Sequence, residues 1–244
     1  MVAAAELHFQ AYSELSQQDR ALIQRLSARN VRNVGARSDI VREGEKPGAV
    51  RLLLEGWACR YSRLPDGRTQ ILHFFVPGDL FDANIFVLPA MDHSIASITP
   101  IVYAEISAGD FEAMKRQSPR LARAIRCNDL VNAAIAREWI TSIGQRSALE
   151  RIAHLFCEMY VRLGAVGLCQ GESCDWPLTQ NDLADATGLT AVHVNRTLQE
   201  LRGRGLVELR GKRLTIPDLP ALAKVAMFDP GYLHLDGYRV RRAA

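Results

Sequence analysis

His193, Asn195, Arg196, Gln199 and Arg202 fall within ten residues of one another, at a spacing that gathers them on the outward side of a helix. Their heads carry paired hydrogen-bonding groups. An arginine can meet O6 and N7 of guanine with two hydrogen bonds, and an asparagine or glutamine can meet N6 and N7 of adenine in the same way. Thr190 stands just before this run, Thr179 and Gln180 lie upstream, and Lys212 and Arg213 follow. Hydroxyl, amide and cationic groups of this kind hold a sugar–phosphate backbone and set register without reading sequence. From Thr190 to Arg213 six basic residues stand against two acidic ones, a local excess suited to a polyanion, whereas the whole chain carries only +3. The chemistry on offer is recognition of double-stranded DNA, with Thr190, His193, Asn195, Arg196 and Gln199 in the groove and Thr179, Gln180, Arg202, Lys212 and Arg213 on the backbone.

Signals for catalysis are weak by comparison. There is no phosphate-binding glycine loop, no nucleophile elbow and no His-Glu-x-x-His, so an enzyme is not expected. Asp79 and Asp82 offer a carboxylate pair, but nothing supplies a neighbouring base or metal set. His154 and Cys157 lie one helical turn apart, and Cys169 and Cys174 have Cys-x4-Cys spacing, which leaves a metal or thiol site as an alternative. A cysteine on an apolar helix face is more simply a small hydrophobe, and the loop pair lacks the tight Cys-x2-Cys clasp. His73 and His93 are isolated; strand or loop histidines account for them more simply than haem ligands, though haem stays open. No metal site and no cofactor are therefore expected. Trp57, Trp139 and Trp176 are expected to fill core or interface.

The readers of a groove need a scaffold, and the surrounding residues provide one. Thr179 with Asp182 three residues later makes a capping box, which starts a helix. Leu183, Ala184 and Ala186 give that helix a small apolar face, and Gly188 supplies the left-handed residue that ends it. Thr190 caps a second helix with Val194, Leu198 and Leu201 inward. Ala184 leaves room where the two helices cross. After Gly203 and Gly205, residues 206–216 read as a two-stranded wing turning at Gly211, with Lys212 and Arg213 near its tip. A pair of capped helices with no DNA role is the plainer alternative.

Upstream the pattern is different. Gly44, Gly56, Gly67 and Gly78 sit 12, 11 and 11 residues apart, with strand-forming segments at 50–54, 57–63, 69–76, 95–99 and 102–106. Short strands punctuated by turns point to a small antiparallel β-roll over residues 25–108, with Pro65-Asp66-Gly67 a hairpin turn. From Pro119 to Ile143 there is no Gly, and Leu121, Ile125, Val131, Ile135, Trp139 and Ile143 recur at helical spacing. So long a helix is expected to pack on the β-roll and on a second copy of itself; a core helix inside a monomer is the rival. Residues 146–163 read as a further helix, and 164–177 as an exposed connection or loose hairpin. The tail Phe228-Asp-Pro-Gly-Tyr-Leu-His-Leu packs on the wing or forms an exposed patch; the sequence does not choose.

At 244 residues, 48% hydrophobic and 23% charged, the chain has the composition of a soluble protein with a real core. No apolar run approaches a membrane span, and the opening Met-Val-Ala-Ala-Ala-Glu-Leu-His lacks the features of a secretory signal. A cytoplasmic location without membrane contact is expected. Five scattered cysteines make no disulfide framework.

With Gly44-Glu45, Leu53-Leu54-Glu55-Gly56, Asp66-Gly67-Arg68, Pro77-Gly78-Asp79, the long helix and residues 178–206, nearly the whole chain resembles the CRP/FNR family of bacterial transcription regulators. The resemblance implies an α+β fold: an N-terminal antiparallel β-roll of double-stranded jelly-roll type, a long dimerisation helix and a C-terminal winged helix-turn-helix. It implies a homodimer on a two-fold-symmetric DNA site, with RNA polymerase as a further partner. Residues 1–117 would form the β-roll with an N-terminal helix, 118–145 the dimerisation helix, and 146–244 the DNA-binding domain with its tail. The effector does not carry over. Cyclic-AMP-binding members follow Pro-Gly-Asp with a Gly-Glu element and an Arg-Ser pair that holds the cyclic phosphate; here stand Leu80-Phe81-Asp82-Ala83-Asn84 and His93-Ser94. Asp82 is expected to repel an anion, so a cyclic nucleotide is not expected. Oxygen-sensing members ligate an iron–sulfur cluster through N-terminal cysteines, and none precedes Cys59. The best-known members carry an Arg-Glu pair after the capping residue of the second helix where this chain has Ala191-Val192, while Arg196 matches the family's base-contacting arginine. The rival reading is a small-ligand-binding β-roll whose C-terminal domain serves protein interaction rather than DNA binding.

Overall fold

The alternation of apolar and polar residues in the N-terminal half folds into two four-stranded antiparallel sheets. The structure, a computed structural model, describes residues 2–83 and 85–235. Two helices, α1 (Val2–Tyr12) and α2 (Gln17–Ser27), precede β1 (Val31–Val34), β2 (Asp39–Val41), β3 (Val50–Glu55), β4 (Ala58–Arg63), β5 (Thr69–Phe75) and β6 (Leu80–Phe81). A 3₁₀ turn at Ile85–Val87 leads to β7 (Ser94–Ser97) and β8 (Ile101–Ile106). The sheets run β1-β8-β3-β6 and β2-β7-β4-β5. Leu53, Phe81, Ile101 and Tyr103 from one pack against Ala58, Phe75 and Ile95 from the other. The first sheet is apolar on its second face as well, where Leu52, Leu54 and Ala104 meet Phe9 of α1 and Leu22, Ile23 and Leu26 of α2. Burial on both faces explains why β3 reads as the continuous run Leu52-Leu53-Leu54 rather than as an alternation.

Next come α3 (Ala108–Gln117) and α4 (Pro119–Gln145). Ser118 accepts a hydrogen bond from the Leu121 amide at 3.0 Å and Pro119 takes the first helical position, so the start of α4 is fixed locally. Its 27 residues extend for about 40 Å. One face buries Leu121, Ile125, Val131, Ile135 and Trp139. The other leaves Leu130 and Ile140 about 70% exposed, and Ile143 40%.

The C-terminal part comprises α5 (Ala148–Ala165), β9 (Cys169–Gln170), β10 (Ser173–Asp175), α6 (Gln180–Thr187), α7 (Ala191–Gly203), β11 (Glu208–Arg210), β12 (Arg213–Thr215), α8 (Leu219–Ala226) and a 3₁₀ turn at Pro230–Leu233. A single apolar cluster joins it to the β-roll through the three tryptophans. Trp57 lies edge-on to Trp176 at 5.9 Å, and Phe74 to Trp139 at 5.8 Å.

Two expectations need correction. Of the two forms expected for residues 164–177 the hairpin is the one present, but it is neither loose nor exposed: β9 and β10 extend the wing sheet to the order β11-β12-β10-β9, and Cys174 and Trp176 are buried at 1% exposure. The buried face comes from β12 and α5, partners that a short segment without alternation does not announce. The tail neither packs on the wing nor forms an exposed patch. Its Phe228 ring lies 5.1 Å from His154 of α5, Leu233 is buried, and the Tyr232 hydroxyl donates to Glu158 at 2.8 Å. Met1, Asn84 and residues 236–244 lie outside the described residues.

Candidate nucleic-acid interface

α6 begins as its residues require. The Thr179 hydroxyl accepts the Asp182 amide at 3.2 Å, and Asp182 Oδ2 accepts the Thr179 amide at 2.7 Å. Gly188 ends the helix in the left-handed region at φ 66°, ψ 30°, and its amide donates to the Ala184 carbonyl. Thr190 then caps α7 by accepting the His193 amide at 3.2 Å. Val194, Leu198 and Leu201 are buried beneath α7, as is Thr197, whose hydroxyl donates to the His193 carbonyl at 2.9 Å.

All ten residues singled out in the sequence are exposed. Thr190, His193, Asn195, Arg196 and Gln199 share the outer side of α7, and Thr179 and Gln180 open α6 beside it. Asn195 Nδ2 donates to Gln180 Oε1 at 3.3 Å, tying the two helices at that surface. Lys212 and Arg213 belong to the wing turn, where Gly211 and Lys212 both have φ near +60°, the backbone of a type I′ turn. Three of the cations are engaged. Arg202 donates to the Leu209 carbonyl at 2.9 Å, Arg213 holds Asp175 at 3.1 Å, and Arg204 pairs with Glu200. Among the described residues Arg196, Arg210 and Lys212 have no ion pair. Two further residues are exposed on these elements. Arg210 faces Arg213 across the wing, and Val192 is 73% exposed in the first turn of α7. Arg210 was legible as a wing cation; Val192, being apolar, had no such signal.

The helix pair is held from two sides. Arg37, in the loop before β2, meets Asp182 through both oxygens at 2.5 and 2.8 Å. Burial pushes the Asp182 carboxyl up, but Arg37 and the Thr179 donors outweigh it and hold the group below its ordinary value. Gln70 of β5 donates to the Ala186 carbonyl at 3.3 Å. On the other side Arg151 of α5 donates to the carbonyls of Thr187 and Ile143 at 2.5 and 2.9 Å. One guanidinium thus joins the last turn of α4 to the last turn of α6.

With this geometry in view, residues 150–225 match the Crp-like helix-turn-helix domain and residues 31–118 match the cyclic nucleotide-binding domain. The transcriptional activatory protein AadR of Rhodopseudomonas palustris is 31% identical over 199 residues, covering 80% of this chain and 79% of its own length. The chain belongs to the CRP/FNR family. Members of this family are DNA-binding transcription regulators, and the chain is one of them. The transcriptional activator protein FnrL of Cereibacter sphaeroides is similar at 28% identity over 188 residues, 76% of this chain and 75% of its own. The solved structure of FixK2 from Bradyrhizobium japonicum shares the fold with a TM-score of 0.71, at 23% identity over 80% of this chain and 96% of that one. The CRP/FNR fold is thus the one expected: α+β, with an antiparallel β-roll, a long helix and a winged helix-turn-helix. Among the described residues no helix is long and apolar enough to cross a membrane.

The match of residues 31–118 to a cyclic nucleotide-binding domain raises a cyclic nucleotide as ligand, and the residues here can be tested against one. Asp82 and His93, set by the sequence resemblance against the family's cyclic-phosphate site, line a cleft of about 630 Å³ between the β-roll and α4. Asp82 does not stand alone there as a repelling charge. Burial pushes its carboxyl up, but His93 and Arg60 bring it below its ordinary value. His93 bridges Asp82 at 2.9 Å and Asp92 at 2.6 Å. Ser94 accepts the Glu43 amide at 3.0 Å and is buried. Arg60 is the one guanidinium or ammonium among the described lining residues, and it already pairs with Asp82; Asp92 and Asp129 line the same cleft. A cleft with three carboxylates and one committed cation does not fit a cyclic phosphate.

Proposed function

We propose that the chain acts as a homodimer that reads an inverted-repeat DNA site, with α7 of each copy in a major groove. The observation that carries this is the division of α7. Its inner side is buried on the core, and its outer side presents His193, Asn195, Arg196 and Gln199 to solvent, close to a wing that carries Lys212 and Arg213. Thr190, His193, Asn195, Arg196 and Gln199 contact bases. Thr179, Gln180, Arg202, Lys212 and Arg213 contact phosphates, Arg202 also bracing the wing. Val192 supplies an apolar contact suited to a thymine methyl group. The division into 1–117, 118–145 and 146–244 is kept as the functional one.

The second copy is supported by α4. Leu130, Ala133, Arg137, Ile140 and Gly144 follow the 3–4 spacing of a helix-pair seam, with a cation at the middle position, and all five are exposed. A two-fold axis along that seam sets two copies of α7 about one DNA turn apart. RNA polymerase is the further partner that family membership supports, and the effector, where there is one, is of a class other than cyclic nucleotides. The cytoplasm is the compartment such a regulator works in.

The test is selection of bound duplexes from a random pool by purified protein, with Arg196→Ala in parallel. An inverted repeat with half-sites about one helical turn apart, altered at one position per half-site by the mutant, is expected. Selection of single half-sites by a monomeric species would overturn the dimeric reading. No enrichment, even with cell extract added as a source of effector, would overturn the DNA reading itself.

A further inference from the structure

The β9–β10 hairpin has no part in the reading above. Gly171 and Glu172 form its two-residue loop, and Gly171 at φ +59° takes the first central position of a type II′ turn. Such a loop closes on a hydrogen-bonded pair, here Gln170 with Ser173, so the next pair outward is of the non-hydrogen-bonded kind. That pair is Cys169 and Cys174. Partners of this kind stand about 4.5 Å apart at Cα, on one face of the ladder, with their side chains close together. A disulfide spans Cα separations of about 4.4–6.8 Å, so the hairpin backbone already suits one.

The side chains agree with the backbone. Both residues are thiols, and each lies within hydrogen-bonding reach of the other. The Cys174 thiol is pushed up by Cys169 beside it and by burial, so it keeps its proton. Cys169 Sγ also donates to the Tyr160 carbonyl at 3.6 Å. Exposure divides the roles: Cys174 is 1% exposed, while Cys169 is half-buried and meets a solute first. No other two cysteines are ladder partners among the described residues.

We propose that Cys169 and Cys174 form a hydroperoxide-responsive dithiol that closes to an intrachain disulfide beside the wing. Cys169 Sγ loses its proton and attacks one oxygen of the hydroperoxide. The O–O bond breaks, the other oxygen leaves as alcohol or water after taking that proton, and Cys169 becomes a sulfenic acid. Cys174 Sγ then attacks the Cys169 sulfur. The S–S bond forms, and the sulfenic oxygen leaves as water with the Cys174 proton. Two thiols are oxidised by two electrons, and one hydroperoxide is reduced. The strand carrying Cys174 also pairs with β12, and the next residue, Asp175, holds Arg213 of the wing.

The test uses the full-length protein, hydrogen peroxide, alkylation and trypsin. No Lys or Arg lies between Arg162 and Arg196, so one tryptic fragment carries both cysteines. After peroxide this fragment is expected lighter by two hydrogens and without alkyl groups, and a dithiol reductant restores two alkylation sites. In Cys174→Ser the sulfenic acid should accumulate at Cys169, where dimedone traps it; in Cys169→Ser the bridge is lost. Wild-type fragment that stays doubly alkylated, or that carries trapped sulfenic acid without a bridge, overturns the proposal. The wild-type measurement decides the matter even if a serine variant fails to fold.

Discussion

Arg196 and Lys212 are both exposed and without an ion pair among the described residues, yet they make different demands of a duplex. Arg196 stands exposed on the outer side of α7, and its proposed partner is a base edge. Arg196→Ala is expected to cost about 1–3 kcal/mol and to relax preference at one base pair. Binding measured on the selected site and on its single-base variants checks this; an equal loss on every sequence would contradict base reading. Lys212 sits at the wing turn, held at positive φ, and is proposed to meet phosphates. Lys212→Ala should weaken all sequences alike and reduce the slope of log affinity against log salt by about 1. A loss confined to one sequence would move Lys212 from the phosphates to a base.

Asp182 joins local and distant structure in α6. Its carboxylate completes the capping box and also receives Arg37, so its removal costs the cap, about 1 kcal/mol, and the ion pair as well. The Arg37 side chain is half exposed, which limits the pair to about 1 kcal/mol. A double-mutant cycle of Arg37→Ala and Asp182→Asn, read by urea unfolding, should show coupling; additive losses would mean the pair is idle. The pH dependence has a definite sign. The folded carboxyl titrates below its ordinary value, so its stabilisation is complete above about pH 3.9 and is lost as pH falls through the folded value. Asp182→Asn should remove that part of the acid limb. The same residue shows what the sequence makes legible. Thr179 and Asp182 are three positions apart, and the cap, the Gly188 turn and the helices follow from local rules. Arg37 lies 145 residues from Asp182, and no local pattern announces it. The burial of the β9–β10 hairpin was not legible for the same reason, since its buried face comes from β12 and α5. That the candidate residues on α7 lie exposed was legible because the buried Val194, Leu198 and Leu201 set the helix face by local spacing.

The parts of the molecule meet around one buried cation. Arg162 of α5 reaches Asp79 at 3.0 Å and the Phe74 carbonyl at 2.8 Å in the β-roll, and Glu158 at 3.4 Å on its own helix. Glu158, fully buried, also receives Trp139 of α4 at 3.1 Å and Tyr232 of the tail at 2.8 Å. Arg162→Met strands two carboxylates in the core and is expected to cost about 3–5 kcal/mol. Urea unfolding checks this, and adding Glu158→Gln should recover part of the loss. The hub also sets a pH response for the whole fold. Arg162 donates to His73 Nε2 at 3.2 Å, which requires that nitrogen to be unprotonated. Burial first, then Arg162 and Arg60, hold the His73 imidazole well below its ordinary value. Burial, with Arg146 adding to it, takes His154 down to about 3. The unfolded chain protonates both near pH 6.5 while the folded chain does not, so stability present above that pH is lost as pH falls. Each histidine contributes a slope of up to about 1.4 kcal/mol per pH unit. The urea midpoint should therefore drop between pH 7 and 5.5, a range in which Asp182 stays ionised. His73→Gln, which keeps an acceptor without the titration, should remove the His73 share of that drop and leave the shares of His154 and of His8, which burial also lowers; an unchanged slope in the variant would show that His73 is protonated in the folded hub.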